Sequence, residues 1–415
     1  MNILLVTQNY LPFIGGVEMH ARQVAHKLIE GGNQVSVIAS NFAPNKLPKR
    51  SAMLHGSLLA PSFDDYTDGP VPVYALTPRS MDRLKMLPIA LRATPKLQRY
   101  AYHPLHKMGY RSYRSVYLPR LRTMAAKADI IHVLAHDYIG WTAQQAAREN
   151  GIPCVVTPFV HPNQWGDGPN DVAYYKRADA VIGLVETDTE YLHSLGVPAE
   201  KTHTIGVSPD TPPTVDPQGF RKKYELEGVP FVLYVGRMMP QKGASALVAA
   251  TARLWETRPD VQVIFIGPGS DEETAIFRNA DPRLKYLGKV SAQEKADALA
   301  ACDVFCMPSM SEILPTVYLE AWTYGRPVVG GRAHGLPELV EGNKAGFAVS
   351  QDGNDVAAAL LRLLNDSELR ERLGAAGKNL VAEKYAVDAV TGQLEALYKN
   401  LVAVRHPNKR TALSG

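Results

Sequence analysis

The sequence predicts an α/β chain of two units, each built on a parallel sheet, and three observations carry that prediction. At 415 residues the chain is longer than one hydrophobic core usually serves. Short apolar runs alternate with helical patterns from Asn2 to Ile205, and the same alternation restarts at Phe231. Between them residues 210–217 read DTPPTVDP, a proline-rich crossing of the kind that joins domains.

The elements follow in order. Residues 2–7 are an apolar strand, Gly15-Gly16 permits a sharp turn, and 17–30 show helical spacing of Val17, Ala21, Val24, Ala25 and Leu28. Gly31-Gly32 ends that helix and 34–39 form the next strand. This βαβ opening lets backbone approach a ligand, although a plain tight turn gives the same pattern. No G-x-G-x-x-G fingerprint is present here, and Gly267-Pro-Gly269 lacks its third glycine. Strands are expected at 130–133, 154–157, 180–185 and 201–205, with helices at 138–150 and 186–195 and a loop at 158–170. In the second unit strands are expected at 231–235, 261–266, 284–287, 301–308, 327–330 and 346–349. Helices are expected at 245–256, 291–301, 316–324, 353–364, 367–384 and 387–404, with another starting at 336–340. The tail from Arg405 is expected to be disordered.

Composition excludes several classes. An apolar fraction of 46% and a charged fraction of 21% are those of an ordinary globular protein, and no apolar run reaches the roughly 18 residues of a membrane span. The chain opens directly on a strand, which argues against a secretory signal and for a cytoplasmic protein. Cys154, Cys302 and Cys306 form neither a disulfide framework nor a metal pattern, so buried thiols and no metal are expected.

The net charge of +4 conceals an asymmetry. Residues 79–127 carry twelve Lys or Arg against one acid, Asp82, which leaves the rest of the chain near −7. The charges are interleaved with Met81, Leu84, Met86, Leu87, Ile89 and a run of tyrosines, and prolines 88, 95, 104 and 119 are expected to break the segment into short helical pieces. Such a segment suits an anionic membrane surface. A solvated helical face is the alternative, and nucleic acid is disfavoured because no nucleic-acid-binding fold surrounds the segment.

Three constellations carry chemistry. Glu312 lies in a loop at the carboxyl end of a strand, and Glu320 lies one turn inside the helix that follows, with Thr316 as the expected N-cap. In open parallel sheets that crevice binds ligands, and a helix N-terminus suits a phosphate. A surface acid on a solvated helix face fits the local pattern equally. Gly236-Arg237 and Lys242-Gly243 likewise follow a strand and precede a helix, and a guanidinium with an ammonium there suits a pyrophosphate as well as it suits a solvated loop. His161 sits in a loop beyond a strand, where imidazole can orient a hydroxyl or phosphate. His20, His26 and His132 read as structural.

Taken together, these motifs resemble the retaining glycosyltransferases of family 4, the glycosyl transferases group 1, which have the GT-B fold of two facing Rossmann-like domains. The resemblance rests on Gly15-Gly16-Val17-Glu18, Gly236-Arg237 with Lys242-Gly243, and the E-x7-E pair Glu312 and Glu320. Leu319-Glu320-Ala321, the GRPVV run from Gly325 and the GLPELV run from Gly335 extend it. It is strongest over 231–349 and weak over 46–127.

The resemblance implies a metal-independent enzyme without a cofactor, moving a sugar from a nucleotide-diphosphate donor, a UDP-sugar first and a GDP-sugar second. It implies a hydroxyl acceptor, which the basic segment 79–127 suggests is lipid-linked or part of a cell-envelope glycan. A soluble acceptor, or a catalytically silent GT-B scaffold, are the other readings. Carried over by position, Arg237 and Lys242 hold the diphosphate, Glu320 binds the ribose, and Glu312 faces the transferred sugar. The backbone of Leu314, Pro315, Thr316 and Val317 meets the sugar and phosphate, and the base lies against Gly267, Lys289 and Val290. Gly16 with Gly15 approaches the phosphate from the other domain, where His161 stands near the donor sugar. The family's Gly-Phe-Gly after the first Glu is replaced by Ile313-Leu314-Pro315, which implies a differently shaped sugar pocket. The implied division is 1–210, with the basic insert 79–127, then 211–386, and a helix from 387 returning to the first domain.

Overall fold

Eight short strands of the first unit form one sheet: β1 (Asn2–Thr7), β2 (Gln34–Ala39), β3 (Tyr66–Asp68), β4 (Val71–Ala75), β5 (Ile130–Leu134), β6 (Cys154–Val156), β7 (Ala180–Gly183) and β8 (Thr202–Thr204). Their order is β3-β4-β2-β1-β5-β6-β7-β8, parallel throughout except for the β3–β4 pair at one edge. The computed structural model describes residues 1–13, 15–40, 64–91, 95–278 and 280–405. Arg92 of the basic segment and the expected disordered tail beyond Arg405 lie outside the described residues, as do residues 46–63 of the weakly matching stretch 46–127.

β1 carries the buried apolar run Ile3 to Val6, and β5 is buried throughout and apolar apart from His132, which is why they were legible in sequence. β3 and β4 were not foreseen. β4 is apolar but carries Pro72, which argues against a strand, and β3 is a three-residue polar edge strand. The helix Pro169–Arg177 was also missed; its first two residues fall at the end of the expected loop 158–170, although Pro at its first position after Gly168 is a start signal.

The basic segment departs from expectation. Pro104 and Pro119 do not break it: both lie inside one helix, Pro95–Ala125, preceded by the short helices Ser80–Lys85 and Leu87–Leu91. An interior proline costs about 3 kcal/mol. Tyr117, Leu118, Leu121 and Ala125 bury themselves in the core of this unit alongside Met86 and Ile89, and at roughly 2 kcal/mol per large apolar side chain that burial outweighs the breaks. Among the described residues, Met86, Ile89 and Tyr117 of the apolar set that suggested a membrane face are therefore core, whereas Met81, Leu84 and Leu87 stay outside, exposed by 72%, 70% and 54%.

The second unit holds a six-stranded parallel sheet of β9 (Phe231–Val235), β10 (Gln262–Ile266), β11 (Leu284–Tyr286), β12 (Val304–Met307), β13 (Val328–Gly330) and β14 (Gly346–Ala348), in the order β11-β10-β9-β12-β13-β14. The expected helix from 336 is a single π turn, Glu338–Gly342, and 367–384 divides into the helix Ser367–Leu380 and a π turn Val381–Tyr385.

The two compact units comprise 1–183, 189–205 and 391–415, and 184–188 with 206–390. The division falls inside the last helix, Val387–Arg405, whose later residues belong to the first unit. There Tyr398 meets His132 Nδ1 at 2.5 Å, the other imidazole nitrogen meets Thr157 Oγ1 at 2.8 Å, and Asn33 donates to Glu395 at 3.1 Å.

Candidate active site

Both sheets reverse their winding direction once, and Gly15, Gly16, Gly236, Arg237, Lys242 and Glu312 follow strands that flank those reversals. In the second unit β10 and β11 lie on one side of β9, and β12 returns to its other side, so the switch point falls between β9 and β12. Adjacent parallel strands whose connections leave in opposite directions open a crevice at their carboxyl ends. The loop after β9 supplies Gly236, Arg237 and Lys242, and the loop after β12 supplies Glu312.

The structure joins two of these directly. Lys242 Nζ lies 2.5 Å from Glu312 Oε1 and donates to the Ser311 carbonyl at 2.9 Å, with both side chains mostly out of solvent. Arg237 is exposed, and its carbonyl accepts from the buried Tyr234 hydroxyl at 2.9 Å. Burial pushes the Tyr234 hydroxyl far above its usual range, and the Glu312 charge adds to the shift. Tyr234 was not singled out in sequence because, as a residue of an apolar strand, it reads as core.

Two glycines are required by close approach. Gly243, at φ 83°, stands against the Pro308 carbonyl, which an added Cβ would meet at 2.6 Å. Gly267, at φ 137°, stands against the Gly236 carbonyl, at 2.0 Å from such a Cβ. Gly267 also donates to the Gly288 carbonyl at 2.8 Å and accepts from Tyr286 at 2.9 Å, which ties the ends of β9, β10 and β11 together. Lys289 is exposed and Val290 half-buried in the turn that follows. Gln351, also missed in sequence, bridges the Gln241 and Pro308 carbonyls at 3.0 and 2.9 Å and so pins the loop bearing Lys242 to the end of β12.

The helix after β12 runs Thr316–Thr323 with Pro315 as its N-cap, one residue earlier than expected, and no side chain caps it. Ile313, Leu314 and Pro315 are buried, so the segment that departs from the family pattern anchors the loop by turning its side chains inward. The first N–H groups of the helix, those of Thr316 and Val317, have no intrahelical acceptor and face the helix mouth. Glu320, its fifth residue, is only 4% exposed. Lys295, on the helix Ala292–Ala301, holds its carboxylate at 2.6 Å. Burial pushes Glu320 above the usual carboxylate range, and the Lys295 ammonium opposes that shift. Lys295 sits in a polar helical pattern with no local mark of function, so only tertiary structure reveals it.

In the first unit the switch point lies between β1 and β5. Gly15 and Gly16 follow β1 and open the helix Gly16–Glu30, with Gly15 as N-cap and Gly16 exposed. His161 follows β6, two strands along the same edge. A bridge between His161 and Trp165 closes its loop, and their rings lie 3.8 Å apart. His20 and His132 are buried and held neutral by that burial, and His26 lies 2.8 Å from Asp68, so these three have the structural places expected of them. Gly15, Gly16 and His161 thus belong to the first unit, and the remaining predicted site residues to the second.

Two family models match this chain, "Glycosyl transferase 4-like domain" over residues 15–208 and "Glycosyl transferases group 1" over 217–380. The chain belongs to the group 1 glycosyltransferases. A GDP-mannose-dependent monoacylated alpha-(1-6)-phosphatidylinositol monomannoside mannosyltransferase of Corynebacterium glutamicum is 27% identical to this glycosyltransferase, over 66% of its chain and 79% of the relative's. A GDP-mannose-dependent alpha-mannosyltransferase of Mycolicibacterium smegmatis is 24% identical, over 96% and 98%. Among solved structures, Anabaena HepE in complex with UDP superposes with a TM-score of 0.69 at 20% identity, covering 96% of this chain and 100% of that one. The fold of the glycosyltransferase is therefore GT-B.

Proposed function

We propose that this glycosyltransferase takes a sugar from a nucleotide-diphosphate donor and transfers it, with retention of configuration and without a metal, to a hydroxyl on a lipid-linked or cell-envelope acceptor. The carrying observation is the Lys242–Glu312 pair across the switch point of the second unit, with Arg237 on the same loop. A guanidinium and an ammonium beside a free helix N-terminus form an anion cradle for a departing diphosphate. Arg237 and Lys242 neutralise it as it leaves, and the Thr316 and Val317 amides meet its phosphate and the sugar hydroxyls. Glu320, oriented by Lys295, takes the ribose, Glu312 faces the transferred sugar, and the base lies against Gly267, Lys289 and Val290. Gly16 and His161 serve the donor and acceptor from the first unit. With no metal assigned a role, the positive charge needed by the leaving group comes from these side chains, and turnover is expected to persist in EDTA.

The relatives bear on the choice of donor. The corynebacterial and mycolicibacterial proteins are named for GDP-mannose, which favours a GDP-sugar over the UDP-sugar that the sequence put first. A thermal-shift panel of GDP-, UDP- and ADP-sugars on wild type and Arg237→Ala tests this. Stabilisation by GDP-mannose that the variant loses is expected, and equal stabilisation of both proteins rejects the assignment of Arg237. Near-normal transfer by purified Arg237→Ala rejects the mechanism as well.

A membrane-borne acceptor is supported by Met81, Leu84 and Leu87, which stand exposed beside Arg79 and Lys85 on two short helices, while no described helix is long and apolar enough to cross a membrane. Apolar side chains that enter an interface next to cations for anionic headgroups hold a protein on a bilayer reversibly.

A further inference from the structure

We propose that the first unit carries a second ligand site, for the phosphate ester of a sugar or polyol, at the amino ends of β6, β7 and β8. A cavity of about 630 Å³ opens there among the helices Pro95–Ala125, Asp137–Glu149 and Pro169–Arg177. Cys154, Asp179 and Lys201 line it, and these are the first residue of β6 and the residues just before β7 and β8. Gly15, Gly16 and His161 follow the carboxyl ends of the same parallel sheet. The cavity is therefore at the other end of the strands from the residues assigned to transfer, and its assignment does not depend on that reading.

Charge decides the ligand class. Lys107, Arg114, Arg148, Arg177, Lys201 and Arg405 line the cavity against one carboxylate, Asp179. Arg405 pairs with that carboxylate at 3.0 Å, and Lys201 is engaged by the Lys176 and Ala178 carbonyls at 3.1 and 3.0 Å. The other four cations make no salt bridge among the described residues. Arg114, Arg148 and Arg177 stand on three different helices, yet their charges bear together on the Tyr110 hydroxyl and oppose the upward push of its burial. Guanidinium groups gathered without a carboxylate repel one another, and phosphate oxygens relieve that repulsion with paired hydrogen bonds.

Size and lining add the ring. The cavity falls within the range of small-molecule sites, and inorganic phosphate would fill little of it. Trp141 forms an aromatic wall with its ring centroid 5.2 Å from His106 and 5.3 Å from Tyr110, a surface on which the C–H face of a sugar or cyclitol can lie. Such an ester can arrive free or as the headgroup of a phospholipid, and the chemistry recognised is the same.

The test is calorimetric titration of the full chain with glucose 6-phosphate and myo-inositol 1-phosphate, with glucose and inositol as unphosphorylated controls. Arg148→Ala/Arg177→Ala is the variant, since both side chains are exposed and outside the core. Saturable binding of a phosphorylated probe, weakened about ten-fold or more in the variant, is the expected result, accompanied by a tryptophan fluorescence change that Trp141→Phe loses. Binding by the wild type but not the variant to phosphatidylcholine vesicles containing phosphatidylinositol, with no binding of the soluble esters, assigns the headgroup as the source. Equal behaviour of wild type and variant toward every probe, or equal affinity for phosphorylated and unphosphorylated probes, overturns the proposal.

Discussion

Lys242 and Glu312 neutralise each other across the switch point of the second sheet, 2.5 Å apart and mostly shielded from water. A donor diphosphate that takes the Lys242 ammonium must draw it away from this carboxylate, so nucleotide binding and ion-pair rupture are one event. Removing the carboxylate charge removes the competitor. Glu312→Gln is therefore expected to tighten the affinity for a nucleoside diphosphate by about ten-fold, roughly 1.4 kcal/mol, while slowing transfer if, as proposed, Glu312 faces the transferred sugar. Lys242→Ala should weaken both. Titration calorimetry beside initial-rate kinetics separates the two effects, and weaker diphosphate binding in Glu312→Gln would show that the carboxylate supports the phosphate site instead of competing with it.

Lys295 and Glu320 are a second pair, on two helices of the same unit, with the carboxylate buried and the lysine partly exposed. Deleting one partner leaves a buried charge uncompensated, which costs about 3 to 5 kcal/mol. Lys295→Met is expected to lower the melting temperature by several degrees, and Glu320→Gln by less, because an amide needs no counter-charge. If Glu320 also takes the ribose, Glu320→Gln should reduce the preference for a ribonucleoside diphosphate over its 2′-deoxy form, as read by competition binding. Unchanged discrimination with a lowered melting temperature would leave the pair a purely structural role.

Met81, Leu84 and Leu87 give the membrane reading a narrow target. Replacing all three with Ser is expected to abolish flotation with anionic vesicles and to leave donor hydrolysis in free solution intact, since none of them lies on a strand end. High salt should weaken wild-type flotation as well. Flotation by the triple variant at wild-type levels would place the membrane contact elsewhere.

Much of this architecture was legible because strands buried on both faces are apolar runs, as in β9, and because Gly243 and Gly267 stand where only glycine fits the backbone. Arg237, Lys242, Glu312 and Glu320 were likewise visible as loop and helix-start residues beyond such strands. Lys295 and Gln351 were not, since each acts across tertiary distance from a position with an ordinary local pattern, and Tyr234, which donates to the Arg237 carbonyl three residues on, was hidden as one more residue of an apolar strand. The basic segment failed for the opposite reason. Its prolines and charges dominate locally, whereas the burial of Tyr117, Leu118 and Leu121, a tertiary effect, decides that one long helix forms. Which of its apolar residues stay outside is likewise a property of the fold and not of the segment.

The last helix is tied to the first sheet through a neutral histidine, and acid should test that tie. His132 is fully buried between Tyr398 and Thr157, and burial pushes it down to about 3, with the His20 charge adding to the shift. Its usual value is near 6.5, so between those values the unfolded chain binds a proton that the folded chain refuses. Stability is therefore complete above pH 6.5 and falls as the pH drops toward 3. At pH 5 the His132 contribution is a loss of about 2 kcal/mol relative to neutral pH, as 1.5 units at 1.36 kcal/mol each. Asp188, which burial raises to about 7, runs the other way, its protonated form favouring the fold as the pH falls. The difference between proteins isolates the histidine: His132→Gln, which keeps polar atoms for Tyr398 and Thr157, is expected to flatten the decline in denaturation midpoint between pH 7 and pH 5. Parallel pH profiles for the wild type and His132→Gln would mean that His132 accepts its proton without unfolding this part of the unit.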